Sequence, residues 1–223
     1  FDYTALSGTL TFTPGATSQP LNVALNTDSL DEDNETFQMT LSAPVNAILG
    51  DSSGTGTITD DDNPPTVNIN DVTVAEGTGG STTANFTASL SAPSGKTISV
   101  NYGTSGGSAV SGVDFTAAAG TLTFSPGVTS QPIPVSITTD ALDEDSEDFT
   151  VTLSGPVNVT LGHTNGAGTI TDDDLPPSVG VHDVTVTEGT GGSTTAVFMV
   201  GLSAPSGKTA TVNYFTSSGT AFM

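Results

Sequence analysis

Apolar residues recur at every second position along much of the chain. Phe86, Ala88 and Leu90 alternate with polar neighbours, as do Ile98, Val100 and Tyr102. Leu122 and Phe124 follow the same rule, then Ile133, Val135 and Ile137, then Phe149, Val151 and Leu153. A period of two sends successive side chains to opposite faces, which is the mark of a half-buried β-strand. Clusters of Gly, Pro and Ser such as Ala92–Gly95 and Ser125–Gly127 separate the runs as turns. No segment sustains a helical period. About seven short strands in about 110 residues predict an all-β, immunoglobulin-like antiparallel β-sandwich.

The pattern itself repeats. GTLTF at Gly8–Phe12 returns at Gly120–Phe124, and GTITDDD at Gly56–Asp62 returns at Gly168–Asp174. DVTVAEGTGGSTTA at Asp71–Ala84 comes back as DVTVTEGTGGSTTA at Asp183–Ala196, and LSAPSGKT at Leu90–Thr97 comes back at Leu202–Thr209. Each pair is offset by 112 positions, about one domain length. The phase predicts one complete repeat at 64–175. Residues 1–63 are the C-terminal half of a repeat, and 176–223 are the N-terminal half of a further one. The pairs Pro64-Pro65 and Pro176-Pro177 mark the boundaries as short, stiff linkers.

Either half alone would expose apolar side chains and unpaired strand edges, so each is expected to need a partner. Neighbouring copies or repeats of the chain itself are the simplest partners. Thr220–Met223 followed by Phe1–Tyr3 reads like Ser108–Phe115 with one residue missing. The chain opens on Phe1 rather than Met, so it is expected to be processed or cut from something longer.

Charge narrows the function. The 223 residues carry 24 Asp and Glu against two lysines, Lys96 and Lys208, and no arginine, for a formal net charge of −22. Nucleic acid is excluded as a partner, because phosphate binding needs a basic face that releases counterions. An anionic membrane surface would repel the chain too, and no apolar run reaches spanning length. No signal peptide is visible. The absence of cysteine excludes disulfides, thiolate metal sites and thiol catalysis. Hydrophobic content is 34%, low enough to suggest disorder, but the strand patterning argues against it. So much like charge opposes compaction unless cations neutralise it, which is the first indication of metal.

The acidic residues gather at strand ends and loops. In the complete repeat they are Asp71, Glu76, Asp114, the run from Asp140 to Asp148, and Asp172–Asp174. Alternate loops of a sandwich meet at one end, so distant carboxylates can converge there. Hard oxygen ligands in this number suit Ca²⁺, which takes six to eight.

Five stretches resemble the Calx-beta domain: VAEGTGG (Val74–Gly80), GVDF (Gly112–Phe115), GTLTFSPG (Gly120–Gly127), DALDEDSEDF (Asp140–Phe149) and GTITDDD (Gly168–Asp174). That family occurs in sodium–calcium exchangers, integrin β4 and very large bacterial surface and adhesin-like proteins. The resemblance implies a seven-stranded sandwich that holds Ca²⁺ at one end. It implies as ligands Glu76, Asp114, Asp140, Glu144, Glu147, Asp172 and Asp174, with Asp173 and Asp145 as further candidates. In the first half-repeat the matching residues are Asp2, Asp28, Glu32, Glu35, Asp60 and Asp62. In the last they reduce to Glu188.

Blander readings exist for each feature. The carboxylates could form a solvated face, although scattered charge would not recur at fixed positions. LDEDNE at Leu30–Glu35 lacks the central glycine and flanking helices of an EF-hand. His163 and His182 have no counterpart one repeat away and read as exposed loop residues. Glu144 with Asp172 could make a glycosidase pair, yet nothing else reads as a substrate cleft and tryptophan is absent. GTGG at Gly77–Gly80 is a hairpin turn, since no helix or lysine follows it. Three Asn-X-Thr triplets, at Asn34, Asn85 and Asn158, fit the short N-glycosylation pattern.

The expectation is a non-enzymatic, Ca²⁺-binding structural repeat of an extracellular or cell-surface stalk, adhesin or filament. A regulatory Ca²⁺ sensor and a carbohydrate-binding accessory module are the alternatives. Any host or matrix ligand is left open.

Overall fold

In the computed structural model, which describes residues 2–221, the alternation becomes strand pairing. The complete repeat contains nine strand segments: β3 (Thr66–Ile69), β4 (Val72–Ala75), β5 (Thr82–Leu90), β6 (Ile98–Gly106), β7 (Ala119–Phe124), β8 (Ser130–Ile137), β9 (Glu147–Val157), β10 (Thr160–Leu161) and β11 (Asn165–Thr171). They form two sheets. One has the order β10-β3-β5-β8 and the other β4-β11-β9-β6-β7. The fold is an all-β sandwich.

Nine segments stand where about seven strands were expected, and the cause is local. The first strand divides at Asn70-Asp71 and serves both sheets. Asn70 Oδ1 accepts the Thr87 amide of β5 at 2.6 Å, while Asp71 Oδ1 accepts the Ala167 amide of β11 at 2.8 Å. Two side-chain acceptors thus replace the ladder bonds lost where the backbone crosses over. β10 adds only a two-residue parallel pairing to β3.

The sheets enclose the core. Val67, Ile69, Phe86, Ile98, Val100, Phe124, Ile133, Val135, Phe149 and Val151 are buried between them, and Phe115 joins them from the β6–β7 loop. Phe149 stacks on Phe115 with centroids 4.8 Å apart and meets the edge of Phe86 at 5.7 Å. Pro132 and Pro134 lie in β8, an edge strand of its sheet. A proline cannot donate to a ladder, so it belongs at such an edge and discourages further pairing there.

The flanking segments are open. In the first, β1 (Glu35–Thr40) pairs antiparallel with β2 (Ser53–Ile58), and Tyr3 bridges to Leu25. In the last, β12 (Val179–Val181) pairs antiparallel with β13 (Val200–Leu202). Phe12, Leu21 and Leu25 are exposed, although their counterparts one repeat on, Phe124, Ile133 and Ile137, are core. Val181, Phe198 and Val212 are exposed while their counterparts Ile69, Phe86 and Val100 are core. Phe1, Phe222 and Met223, where the two halves would join in the sequence reading, lie outside the described residues. Among the described residues no helix is long and apolar enough to cross a membrane.

Candidate metal centre

Strand direction brings the acidic residues of the complete repeat to one end, apart from Asp71, which precedes β4 and lies at the strand crossover. β4 and β11 run parallel, so the residues that follow both strands emerge together. Glu76 follows β4, and its amide donates to Thr171 O at 3.0 Å. Gly77 has a φ of 85°, a left-handed turn that glycine adopts without strain, and its amide donates to Asp173 Oδ1 at 3.0 Å. β9 is antiparallel to β11, so Glu147 at its start pairs with Ile170 near the end of β11. The β8–β9 loop supplies Asp140 and Glu144. Asp140 Oδ1 accepts the Leu142 amide at 2.8 Å and tightens that loop. Phe115 bridges to Ile137, which sets Asp114 at the end of β8. Asp114 Oδ2 accepts the Val110 amide at 2.6 Å.

Glu76 is the hub. It offers an oxygen to two trios, one with Asp173 and Asp174 and one with Asp140 and Glu144, and within each trio the oxygens lie within 4.8 Å of one another. Glu76 is only 6% exposed, and its Oε1 has no hydrogen-bond partner. Asp174 Oδ2 is likewise buried and unpartnered. A buried acceptor without a donor is costly, and a cation is what would satisfy it. Burial, then the charges of Asp140, Asp172, Glu144 and Asp174, pushes the Glu76 carboxyl up from 4.5 to about 7. Burial also raises Glu147 to about 7, followed by its carboxyl hydrogen bond with Asp114. Glu144 is raised by burial and then by Asp140, Asp114 and Asp172. Asp174 is raised by burial and then by Asp173 and Asp172.

Asp172 Oδ1 accepts the Asp174 amide at 3.3 Å, while Asp145 sits outside the cluster with a side chain 93% exposed. In the first segment Asp2, Asp28, Glu32, Glu35, Asp60 and Asp62 line one pocket. Glu35 and Asp2 share a carboxyl hydrogen bond there, at the positions equivalent to Glu147 and Asp114. Glu188 is exposed, and the shallow pocket it lines contains no second acidic residue.

Several contacts were not foreseen from the sequence. Asp148 Oδ1 accepts the Ser108 hydroxyl at 2.8 Å, and Asp148 O accepts the Gly107 and Ala109 amides, so this residue secures the loop that leads to Asp114. Lys96 and Lys208 reach back into the preceding segment, where Lys96 pairs with Asp31 at 2.7 Å and Lys208 with Asp143 at 2.8 Å. The available signal was that the two cations of the chain occupy equivalent positions.

The sequence matches the Calx-beta domain family in three consecutive segments, residues 1–62, 60–174 and 171–222. The human FRAS1-related extracellular matrix protein 1 is 42% identical over 50 residues, which make up 22% of this chain and 2% of that protein. This chain therefore spans a very small part of that relative's length. Among solved structures, the apo-form Calx CBD1 domain is 28% identical, with 49% of this chain and 98% of that one covered and a TM-score of 0.43. CBD12 from CALX1.2 is 27% identical, with 56% of this chain and 53% of that one covered and a TM-score of 0.46. Matched by the family from its first segment to its last, the chain belongs to the Calx-beta domain family and carries it in tandem.

Proposed function

We propose that this chain is a Ca²⁺-binding structural repeat of an extracellular stalk, adhesin or filament. The observation that carries the metal reading is Glu76: a buried carboxylate with an unpartnered oxygen, shared by two carboxylate trios. An all-oxygen, flexible donor set of this size fits Ca²⁺ better than Mg²⁺, which keeps more of its water. Glu76, Asp140, Glu144, Asp173 and Asp174 would form the inner set. Asp114, Glu147 and Asp172 would complete it or hold a second ion beside it. The ions would supply the positive charge that the cluster lacks and draw the loops of one sandwich end together. Asp2, Asp28, Glu32, Glu35, Asp60 and Asp62 would do the same in a completed first repeat, and Glu188 would do so in a completed last one.

The tandem arrangement supports the structural aspect of this reading. Closely similar repeats in tandem suit a spacer, where length and stiffness matter more than any single surface. The domain limits we assign are 1–63, 64–175 and 176–223, with neighbouring copies or repeats completing the outer halves. The open faces of the outer halves support that assignment, since Phe12, Leu21, Leu25, Val181, Phe198 and Val212 are exposed where the complete repeat has core residues. The extracellular setting is supported by the matrix relative. No catalytic role is assigned.

Thermal melting with Ca²⁺ and with a chelator tests the metal. Binding to the folded state alone adds about 2.7 kcal/mol per site when free Ca²⁺ is about a hundred times Kd. Identical melts would remove the reading.

A further inference from the structure

The two junctions between segments are built alike. Ser94 Oγ donates to Asp31 O at 3.0 Å, the Gly95 amide donates to the same oxygen at 3.0 Å, and Lys96 Nζ pairs with Asp31 Oδ1 at 2.7 Å. One repeat on, Ser206 Oγ donates to Asp143 O at 3.3 Å, the Gly207 amide donates to it at 3.0 Å, and Lys208 Nζ pairs with Asp143 Oδ1 at 2.8 Å. Each lysine reaches a second carboxylate on the same preceding segment. Lys96 lies 3.7 Å from Asp60, and Lys208 lies 3.7 Å from Asp172 and 3.8 Å from Asp145. Asp31 and Asp143 are 4% and 7% exposed, so each is a carboxylate buried under the loop of the next segment.

Close approach is integral to the fit. A Cβ added at Gly95 would stand 2.7 Å from Glu32 Cγ, and one at Gly207 would stand 2.7 Å from Glu144 Cγ. Any larger residue there would push the Glu32 or Glu144 side chain aside. In a chain of net charge −22, both of its basic residues therefore serve the same place in the repeat.

We infer that the Ser-Gly-Lys loop of each repeat is a docking key for the carboxylate end of the repeat before it. Its ammonium group stands there as a built-in cation that fixes the angle between successive repeats with or without metal. The partner that this surface fits is a following repeat carrying Ser-Gly-Lys. A lysine paired with a buried carboxylate strongly favours the partner that brings the charge, because the carboxylate would otherwise be left buried and unpaired.

The chain has no cysteine, so labels can be placed at will. Spin labels on Thr57→Cys and Ser125→Cys, both exposed and on opposite sides of the first junction, report the distance between segments by pulsed electron resonance. The expected result in chelator is one narrow distance distribution for the full chain. Lys96→Gln broadens it at least twofold, Lys96→Arg retains it, and Asp31→Asn broadens it from the other side of the contact. A broad distribution in the parent chain, or an unchanged width in Lys96→Gln and Asp31→Asn, overturns the inference. A calorimetric Ca²⁺ titration of the same proteins separates the two readings. Broadening without any Ca²⁺ binding would leave the lysine key standing and remove the metal.

Discussion

Replacing Glu76 by Gln should act in opposite directions with and without calcium. The carboxyl is pushed from 4.5 to about 7 by burial and by its acidic neighbours. A carboxyl raised in the folded state favours folding when protonated. Its contribution is therefore fully present below about pH 4.5 and is lost as pH rises through 7. The difference between 4.5 and 7 corresponds to about 3 kcal/mol of strain on the metal-free fold at pH 8. Gln removes the charge and keeps the shape, and Glu76 Oε1 has no hydrogen bond to lose. In chelator at pH 8 the variant should melt higher than the parent, by up to about 13 °C for a domain of this size. At pH 4 the two should converge. With Ca²⁺ present the order should reverse, because Gln removes the anionic oxygen common to both trios and the calcium-induced rise in Tm should shrink. The assay is a set of calorimetric melts at pH 4 and 8, with chelator and with Ca²⁺. A lower Tm for Glu76→Gln in chelator at pH 8, or an equal calcium-induced rise in both proteins, would refute the reasoning.

Glu147 is also raised to about 7, so Ca²⁺ binding at pH 6 would have to displace protons from both glutamates. Affinity should fall about tenfold per group between pH 8 and 6, and titrations in buffers of different ionisation enthalpy should show proton release. Glu147→Ala should weaken Ca²⁺ binding more than Asp148→Ala. Asp148→Ala should cost about 1 kcal/mol of stability in any buffer, because the Ser108 hydrogen bond is lost; equal Ca²⁺ affinities for the two variants would count against this assignment. Phe86→Ala should destabilise the complete repeat by about 3–5 kcal/mol, read as a lower denaturant midpoint, because Phe86 is fully buried. No glycan or peptide in a hydrolysis panel should be cleaved; an activity that survives purification and disappears in Glu144→Gln would reverse that expectation.

The core was legible because Phe86, Val100, Ile133 and Val151 each sit in an uninterrupted alternation, and alternation is a local property. The crossover at Asn70-Asp71 was not, because two polar residues between apolar runs look like any short loop. Only the positions of the Thr87 and Ala167 amides, about 17 and 96 residues away, make it a strand shared by two sheets. The acidic positions could be picked out by their recurrence and by the resemblance to a known family. Which carboxylates face one another depends on the parallel register of β4 with β11 and on the bridge at Phe115, and no spacing in the sequence encodes either. The role of the lysines was hidden for the same reason, since Lys96 meets Asp31 across 65 positions and a segment boundary.

The divided first strand bears on how a repeat carries mechanical load. In the proposed stalk, tension would enter at Thr66, where β3 begins, and leave beyond Thr171, where β11 ends. Between them, β4 and β11 are paired in parallel from Val72 with Gly168 to Ala75 with Thr171. Pulling drags β4 toward its own start and β11 toward its own end, so the ladder is loaded lengthwise and its hydrogen bonds must yield together. An antiparallel hairpin pulled from its open end would instead unzip, its bonds breaking in succession. Glu76 and Asp173 lie just past this patch, joined through the Gly77 amide, so an ion held by their carboxylates would brace the clamp at the end where the force leaves it.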